Sequence, residues 1–403
     1  MRLMIVSTSA GAGHTMAAVA LEEAATSLLP NVDVTSVDVL DFTSPLYRRA
    51  NTRSYLKVVD RMPSLWGYLY DTFDDRRARQ DQARILKAVD WIESVAFRRF
   101  VSDWAPDVIL ATHFLGPQFL DPGRRRQRDR CFLGIVVTDF HAHSFWTQRT
   151  ADGYFVGDDE LRFSLVRRNV PSDRISVTGI PIRRAFEARG SVAATRAALG
   201  LEPDALVVLV MGGGVGLGEI ETAVEVALAA EKTQVVALTG LNSALEERLA
   251  GAAARLGGRL RVAGFVHNVH ELMAAADVAV TKPGGVSASE CMAMGLPMIL
   301  IDPMPGQEER NCDYLQDAGV AVKAHGSDSL AYKLTLVLSD EALRKRLRRA
   351  ALRARRPRAA QEIISLVAGA VGVRAGAPSS SPRRAGQARA PDHDLVHARR
   401  MRT

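Results

Sequence analysis

Apolar runs of four to six residues recur along the chain, with amphipathic stretches between them. One series falls at residues 3–7, 32–39, 107–112, 132–138, 153–156 and 175–178. A second falls at 206–211, 234–239, 259–263, 277–281, 298–301 and 321–323. Runs without polar alternation suit strands of a parallel sheet covered on both faces. Helical spacing predicts helices over 15–28, 82–104, 217–229, 243–256, 269–276 and 329–338, and an arginine-rich helix over 341–366 closing the second series. Alternation of this kind predicts an α/β chain of two doubly wound, Rossmann-like domains facing a cleft, with ligands at the carboxyl ends of the strands. The turn Gly179-Ile180-Pro181 and the loop Gly200-Leu201-Glu202-Pro203 bracket the change of series. The expected units are residues 1–182, residues 183–370, and a disordered tail over 371–403, where Ala, Pro, Ser, Arg and Gly follow no period.

A length of 403 residues exceeds one ordinary core, which supports two domains. No apolar run reaches the ~18 residues of a membrane span, and the N-terminus already reads as a strand, not a signal peptide. Cys131, Cys291 and Cys312 show no metal spacing and cannot all pair, which fits a reducing cytoplasm. The net charge of +7 is local. Residues 341–360 carry nine Lys and Arg against Glu341 alone, and residues 374–403 carry seven Arg against Asp392 and Asp394. Nucleic acid, an anionic membrane surface or a plain solvated face would each account for that. Residues 45–80 break the alternation with interleaved aromatic and basic residues, among them Tyr47, Arg48, Arg49, Trp66 and Tyr70. The insert reads either as a helical hairpin packed on the first domain or as an interfacial surface.

Candidate chemistry gathers at the strand ends. After the first strand, Gly11-Ala12-Gly13-His14 opens a helix and puts His14 at the cleft. Its near-neutral pKa suits a general base, and it would equally serve as a ligand for an acceptor or a phosphate. The spacing is Gly-x-Gly-His and not the dinucleotide Gly-x-Gly-x-x-Gly. The run ending at Thr138-Asp139-Phe140 brings Asp139 to another strand end, followed by His141, His143 and Trp146. A metal held by Asp139, His141 and His143 lacks a further ligand, so a share in an acceptor pocket is the stronger reading. In the second half, Gly212-Gly213-Gly214 follows a strand and suits close approach to a diphosphate, with Gly240 and Asn242 beside it. Phe265 and Val266 end another strand, where backbone groups would read a pyrimidine edge. The richest stretch runs from Thr281-Lys282-Pro283-Gly284-Gly285 through Ser287 and Glu290 to Gln307, Glu308 and Asn311. Gly284 and Gly285 let backbone N–H groups at a helix start meet a diphosphate. Glu290 would accept from ribose hydroxyls, and Gln307, Glu308 and Asn311 would surround a hexose. The order is that of a sugar-nucleotide pocket.

Together these motifs resemble the glycosyltransferase family of plant monogalactosyldiacylglycerol synthases and bacterial processive diacylglycerol glucosyltransferases (glycosyltransferase family 28). The resemblance covers about residues 3–340 and rests on an ordered set. Its members are Gly11–Ala18, Val137–Phe140 with His143 and Trp146, 178–183, 264–268, 281–290 and 303–311. It implies a GT-B fold, an N-terminal acceptor-binding domain with Gly11, Gly13, His143 and Trp146 on the acceptor side, and a C-terminal UDP-sugar domain. It also implies inverting transfer without a cofactor or metal, with His14 as base or acceptor ligand and Asp139 as the competing base. Gly213, Gly214, Gly240, Asn242, Phe265, Val266, Gly284, Gly285, Ser287, Glu290, Gln307, Glu308 and Asn311 would hold the donor. Ser287 stands where relatives commonly carry Thr, Val215 interrupts the glycine loop, and the arginine-rich tail lies outside the family pattern.

The expected activity is transfer of a hexose from a UDP-sugar to a membrane lipid acceptor, with diacylglycerol first. A polyprenyl-type acceptor and a non-catalytic UDP-sugar-binding protein are the alternatives. The expected partners are a UDP-hexose, the lipid acceptor and an anionic membrane surface, not nucleic acid. The expected place is cytoplasmic, peripheral on the inner face of the cell membrane.

Overall fold

The computed structural model describes residues 1–372 except 10, 52–88, 125–130, 149, 215, 217–218, 231 and 257. Most of the 45–80 insert and almost all of the 371–403 tail therefore lie outside the described residues. Strands β1 to β6 are Arg2–Ser7, Asp33–Asp38, Val108–Ala111, Phe132–Val136, Gly153–Val156 and Ile175–Val177. Strands β7 to β12 are Leu206–Met211, Thr233–Leu238, Leu260–Ala263, Val278–Thr281, Met298–Leu300 and Ala321–Lys323. Each falls on one of the segments expected as strands, although β2 is largely polar.

The first six pair as one sheet in the order β2-β1-β3-β4-β5-β6, and the rest as a second in the order β12-β11-β10-β7-β8-β9. Every pairing is parallel. The order reverses between β1 and β3 in one sheet and between β7 and β10 in the other. Open α/β sheets bind ligands at such reversals, and the glycine turns that the sequence singles out follow β1, β7 and β10.

Helices α1 to α7 are Ala12–Leu28, Pro45–Arg49, Val95–Trp104, Leu115–Arg124, Asp159–Arg167, Val192–Ala198 and Ile220–Ala229. Helices α8 to α14 are Ser243–Ala253, Val269–Ala275, Gly285–Met294, Gln307–Asp317, Gly326–Ser339, Glu341–Ala354 and Ala359–Ala370. Short polar side chains start several of them: Asp158 accepts from the Leu161 N–H at 2.8 Å, Asn242 from Leu245 at 3.1 Å and Asp340 from Leu343 at 2.9 Å. Such caps satisfy N–H groups that the helix itself leaves open.

The expected helix over 341–366 is in fact two. Arg355 is extended, with φ −62° and ψ 144°, two residues before Pro357, whose missing N–H and ring cannot be carried inside a helix. The second piece does not close the second sheet. Ala360, Ile363, Ile364, Val367 and Ala368 of α14 join Leu3, Ile5, Leu21, Leu110 and Val136 in the core of the first.

The lobes share packing near the cleft. Ala17, Phe140 and Ile180 sit in one apolar cluster with Val286, Ala288 and Cys312. Among the described residues no helix is long and apolar enough to cross a membrane.

Candidate active site

His14 occupies the first turn of α1, half-buried at the β1/β3 reversal. Its Nδ1 lies 2.9 Å from the Thr112 carbonyl oxygen and 2.8 Å from Thr138 Oγ1. A carbonyl only accepts, so the proton of the neutral ring sits on Nδ1 and Nε2 keeps its lone pair. The Thr112 hydroxyl donates back to the His14 carbonyl at 2.9 Å, so strand end and helix start are fixed to each other. Burial pulls the imidazole below its ordinary pKa, while the charge of Asp139 opposes that shift. The group is thus neutral near pH 7 and has a fixed anion ready to stabilise its protonated form.

Asp139, just beyond β4, is buried. Its Oδ2 accepts from Gln307 Nε2 at 2.6 Å and its Oδ1 from Asn311 Nδ2 at 3.0 Å. Both amides stand on α11 of the other lobe. Asn311 also accepts the Phe140 N–H at 2.9 Å and donates to the Pro283 carbonyl at 3.1 Å, with no exposed surface. The sequence reading put Gln307 and Asn311 around a sugar. Both are instead turned onto Asp139, and Asn311 lies behind the cleft surface. Glu308 lies between them in sequence but faces its own loop, accepting the Met304 N–H at 2.7 Å, with Lys282 Nζ at 3.5 Å. Burial raises its pKa against the pull of Lys282.

At the β7/β10 reversal, Gly284 precedes α10, whose N-terminus has no side-chain cap. Its first N–H groups face the cleft unpaired within the helix, the arrangement that receives phosphate. Gly285 is glycine for another reason: a Cβ there would stand 2.1 Å from the Thr138 carbonyl oxygen. The Gly284–Gly285 turn of one lobe therefore touches the residue whose hydroxyl holds His14 in the other. Ser287 is half-buried two residues on.

Glu290 is buried on the same helix. Burial raises its carboxyl to about 8 against the opposing charge of Arg183. Arg183 donates to the His267 carbonyl at 2.6 Å and has its Nε buried without a partner. Gly213 has φ +71° and open space beside it, whereas Gly240, with φ +58°, is packed so that a Cβ would meet the Gly214 carbonyl at 2.5 Å. Asn242 donates to the Gly216 carbonyl at 3.2 Å while capping α8. Gly214 and Gly240 thus shape the loop, and Gly213 is the open glycine of this set. Phe265 is exposed and edge-on to His267 at 5.3 Å, and Val266 packs against the core.

In the first lobe Gly11 caps the start of α1 under the Nε2 edge of His14, and Gly13 faces Val286 across the lobes. His143 Nδ1 accepts the Phe145 N–H at 3.2 Å and starts the turn that carries Trp146. Trp146 is buried, its ring 6.4 Å from those of His14 and His113. Among the described residues no three His, Cys, Asp or Glu side chains converge as metal ligands.

Sequence reasoning missed His113 and Phe114. The His113 ring is edge-on to His14 at 4.7 Å and stacked on Phe114 at 4.1 Å, and Phe114 stacks on Phe145 at 5.0 Å. Burial, with His14 beside it, pushes the His113 pKa well below its ordinary value. The available signal was position: His113 follows β3, the strand beside β1 at the reversal.

The profile described as monogalactosyldiacylglycerol (MGDG) synthase matches residues 14–182, and that of glycosyl transferases group 1 matches 204–354. A processive diacylglycerol beta-glucosyltransferase of Bacillus subtilis (strain 168) is 29% identical over 342 residues, covering 84% of this chain and 87% of that enzyme. An enzyme of the same name from Bacillus mycoides (strain KBAB4) is 31% identical over 269 residues, 65% of this chain and 67% of that one. The chain belongs to the processive diacylglycerol glucosyltransferase and MGDG synthase family. It is a glycosyltransferase. Its fold is that of a solved Listeria monocytogenes protein described as a putative UDP-N-acetylglucosamine 2-epimerase, with a TM-score of 0.60 at 18% identity, 92% of this chain and 96% of that one. The expected α/β architecture of two doubly wound domains, GT-B in kind, is the one observed.

Proposed function

We propose that this family member transfers a hexose with inversion from a UDP-sugar to diacylglycerol. The observation that carries the reading is the contact between Gly285 and Thr138, which sets an uncapped helix start beside a histidine with a free Nε2. The acceptor hydroxyl attacks the anomeric carbon and gives its proton to His14 Nε2. The bond from that carbon to the β-phosphate oxygen breaks, and UDP leaves with the electron pair. N–H groups from Gly285 onward in the first turn of α10 meet the charge that develops on the diphosphate, while the Gly284 N–H is held by the Lys282 carbonyl. Asp139 stabilises the imidazolium electrostatically and does not itself take the proton. Gly213, Ser287, Glu290, Phe265 and Val266 complete the donor side, and Trp146 with His113 and Phe114 walls the acceptor side. No cofactor takes part in this scheme.

The acyl chains stay in the bilayer, and the protein docks peripherally on the inner face of the cell membrane. What supports this is a patch joined by hydrogen bonds from Ser44 to Glu93 and from Tyr47 to Asp90. It exposes Leu46 at 80%, Trp91 at 55%, Ile92 at 65% and Val95 at 50%. Arg49 and Arg98 flank it, and the Arg98 guanidinium lies 5.5 Å over the Trp91 ring. Apolar side chains among cations suit an anionic interface.

The test is incubation with labelled UDP-hexoses and mixed lipid vesicles, followed by mass analysis. A hexosyl-diacylglycerol is the expected product. Product on a polyprenyl-type lipid alone would replace diacylglycerol in the scheme. His14→Ala should lower kcat by about 10²–10⁴-fold, and full turnover by that variant would remove His14 from the role.

A further inference from the structure

Asn311 has no exposed surface, yet its side chain bonds to polar groups from three places. Its Oδ1 accepts the Phe140 N–H, and its Nδ2 reaches both Asp139 Oδ1, at 3.0 Å, and the Pro283 carbonyl, at 3.1 Å. Pro283 immediately precedes the Gly284–Gly285 turn. Gln307, on the same helix, holds the second oxygen of Asp139. Both carboxylate oxygens of a residue in the first lobe are thus held by amides from the second. An amide donates to a carboxylate without neutralising it, so the charge is kept and its direction fixed.

We infer that Asn311 is a positioning residue for proton transfer: by tying Asp139 to the turn at Pro283, it keeps that carboxylate trained on His14 while the donor lobe is docked. The inference rests on the reading of His14 as base. It differs from a sugar contact, because Asn311 acts through Asp139 and touches neither substrate. The charged and titratable groups around the pair are few. His14 lies edge-on to His113 and bonds the hydroxyl of Thr138, the residue before Asp139, whose charge acts on the ring. Asp139 faces His14 and also Glu308, which is itself paired with Lys282.

Without the Asn311 amide the carboxylate turns away, and His14 loses the charge that favours its protonated form. The base is then weaker and stays unprotonated to lower pH. Asn311→Ala in the full chain should lower kcat by about 10–100-fold. The acid limb of its kcat–pH profile should move to lower pH by about half a unit or more. KM for the UDP-hexose and the UDP affinity measured by calorimetry should stay as in the parent. A fall in kcat with an unmoved limb, or an effect mainly on KM, overturns the inference. If Asn311→Ala does not fold, as thermal melting would show, Gln307→Met carries the test. It removes the other amide from a half-buried site and should shift the limb the same way, whereas an unmoved limb overturns the inference. Failure of the underlying reading is distinguishable, since the parent protein would then release no UDP with diacylglycerol vesicles.

Discussion

Gly285→Ala sets two effects of opposite sign against each other. Gly285 is the first residue of α10, in a conformation that alanine adopts freely. Helix propensity alone would favour alanine by up to about 1 kcal/mol. Sterics oppose it. The new Cβ would stand 2.1 Å from the Thr138 carbonyl oxygen, 3.0 Å from its carbon and 3.1 Å from Ile180 Cδ1, whereas ordinary contact begins near 3.4 Å. Two of these atoms are backbone, so helix or strand end must retreat by more than an ångström. Overpacking of this kind costs about 1–3 kcal/mol, more than the propensity gain. Thr138 also holds His14, and a displacement of about 1 Å at reacting groups costs about 10²-fold in rate.

The expected outcome is a lower melting temperature and a kcat reduced by about two orders of magnitude. Gly284→Ala is the internal control. A Cβ there meets nothing within 4 Å, and φ −69° with ψ 136° suits any residue. Its melting temperature should not move, while UDP affinity should fall, because a methyl group then stands before the N–H groups. Thermal melts, steady-state kinetics and UDP calorimetry separate these outcomes. Parent-like stability and kcat in Gly285→Ala would refute the reasoning.

Three further outcomes follow from the same structure. Burial raises Glu290 to about 8, so the folded chain keeps a proton that the unfolded chain releases above its ordinary value of 4.5. Stability should therefore decline as pH rises between those values, by at most about 1.4 kcal/mol per unit, and level off above. Glu290→Gln should abolish the decline in a pH series of thermal melts, and equal slopes in the two proteins would count against it. Arg196 donates to the carbonyls of Ala275, Pro203 and Ala205 and to Asp277 at 2.9 Å. Arg196→Ala should destabilise by about 2–4 kcal/mol in denaturant titration, less than a fully buried pair because Asp277 is partly exposed. Trp91→Glu with Ile92→Glu should weaken sedimentation with anionic vesicles while UDP affinity is unchanged; unaltered sedimentation would clear this patch of a membrane role.

Many of the strands were legible because they are unbroken apolar runs, such as Leu206–Met211, that no amphipathic helix would show. The glycine turns were legible because each follows such a run. The helix over 341–366 was misread because apolar positions at helical spacing resume beyond Pro357, at Ala360, Ile363 and Ile364, and the proline outweighs that spacing. Asn311 and Gln307 were read on a polar loop around a sugar, whereas both stand on α11 and donate to Asp139. Asp139 is 172 positions from Asn311, and nothing local in either segment encodes a contact across two lobes. His113 escaped because it carries no glycine turn and no charge pattern; only the order of strands β1 and β3 puts it beside His14.

Helix α14 bears on how the chain acquires its shape during synthesis. Ile363, Ile364 and Val367 lie against Leu3, Ile5 and Leu21, so the first sheet has an open flank until a segment that follows the second sheet in the chain arrives. A ribosome would deliver the entire second sheet before the first could be sealed. Cutting the gene between the two units should yield an N-terminal product with an oily wound along α1, and a peptide spanning Ala359–Ala370, supplied separately, should dress it.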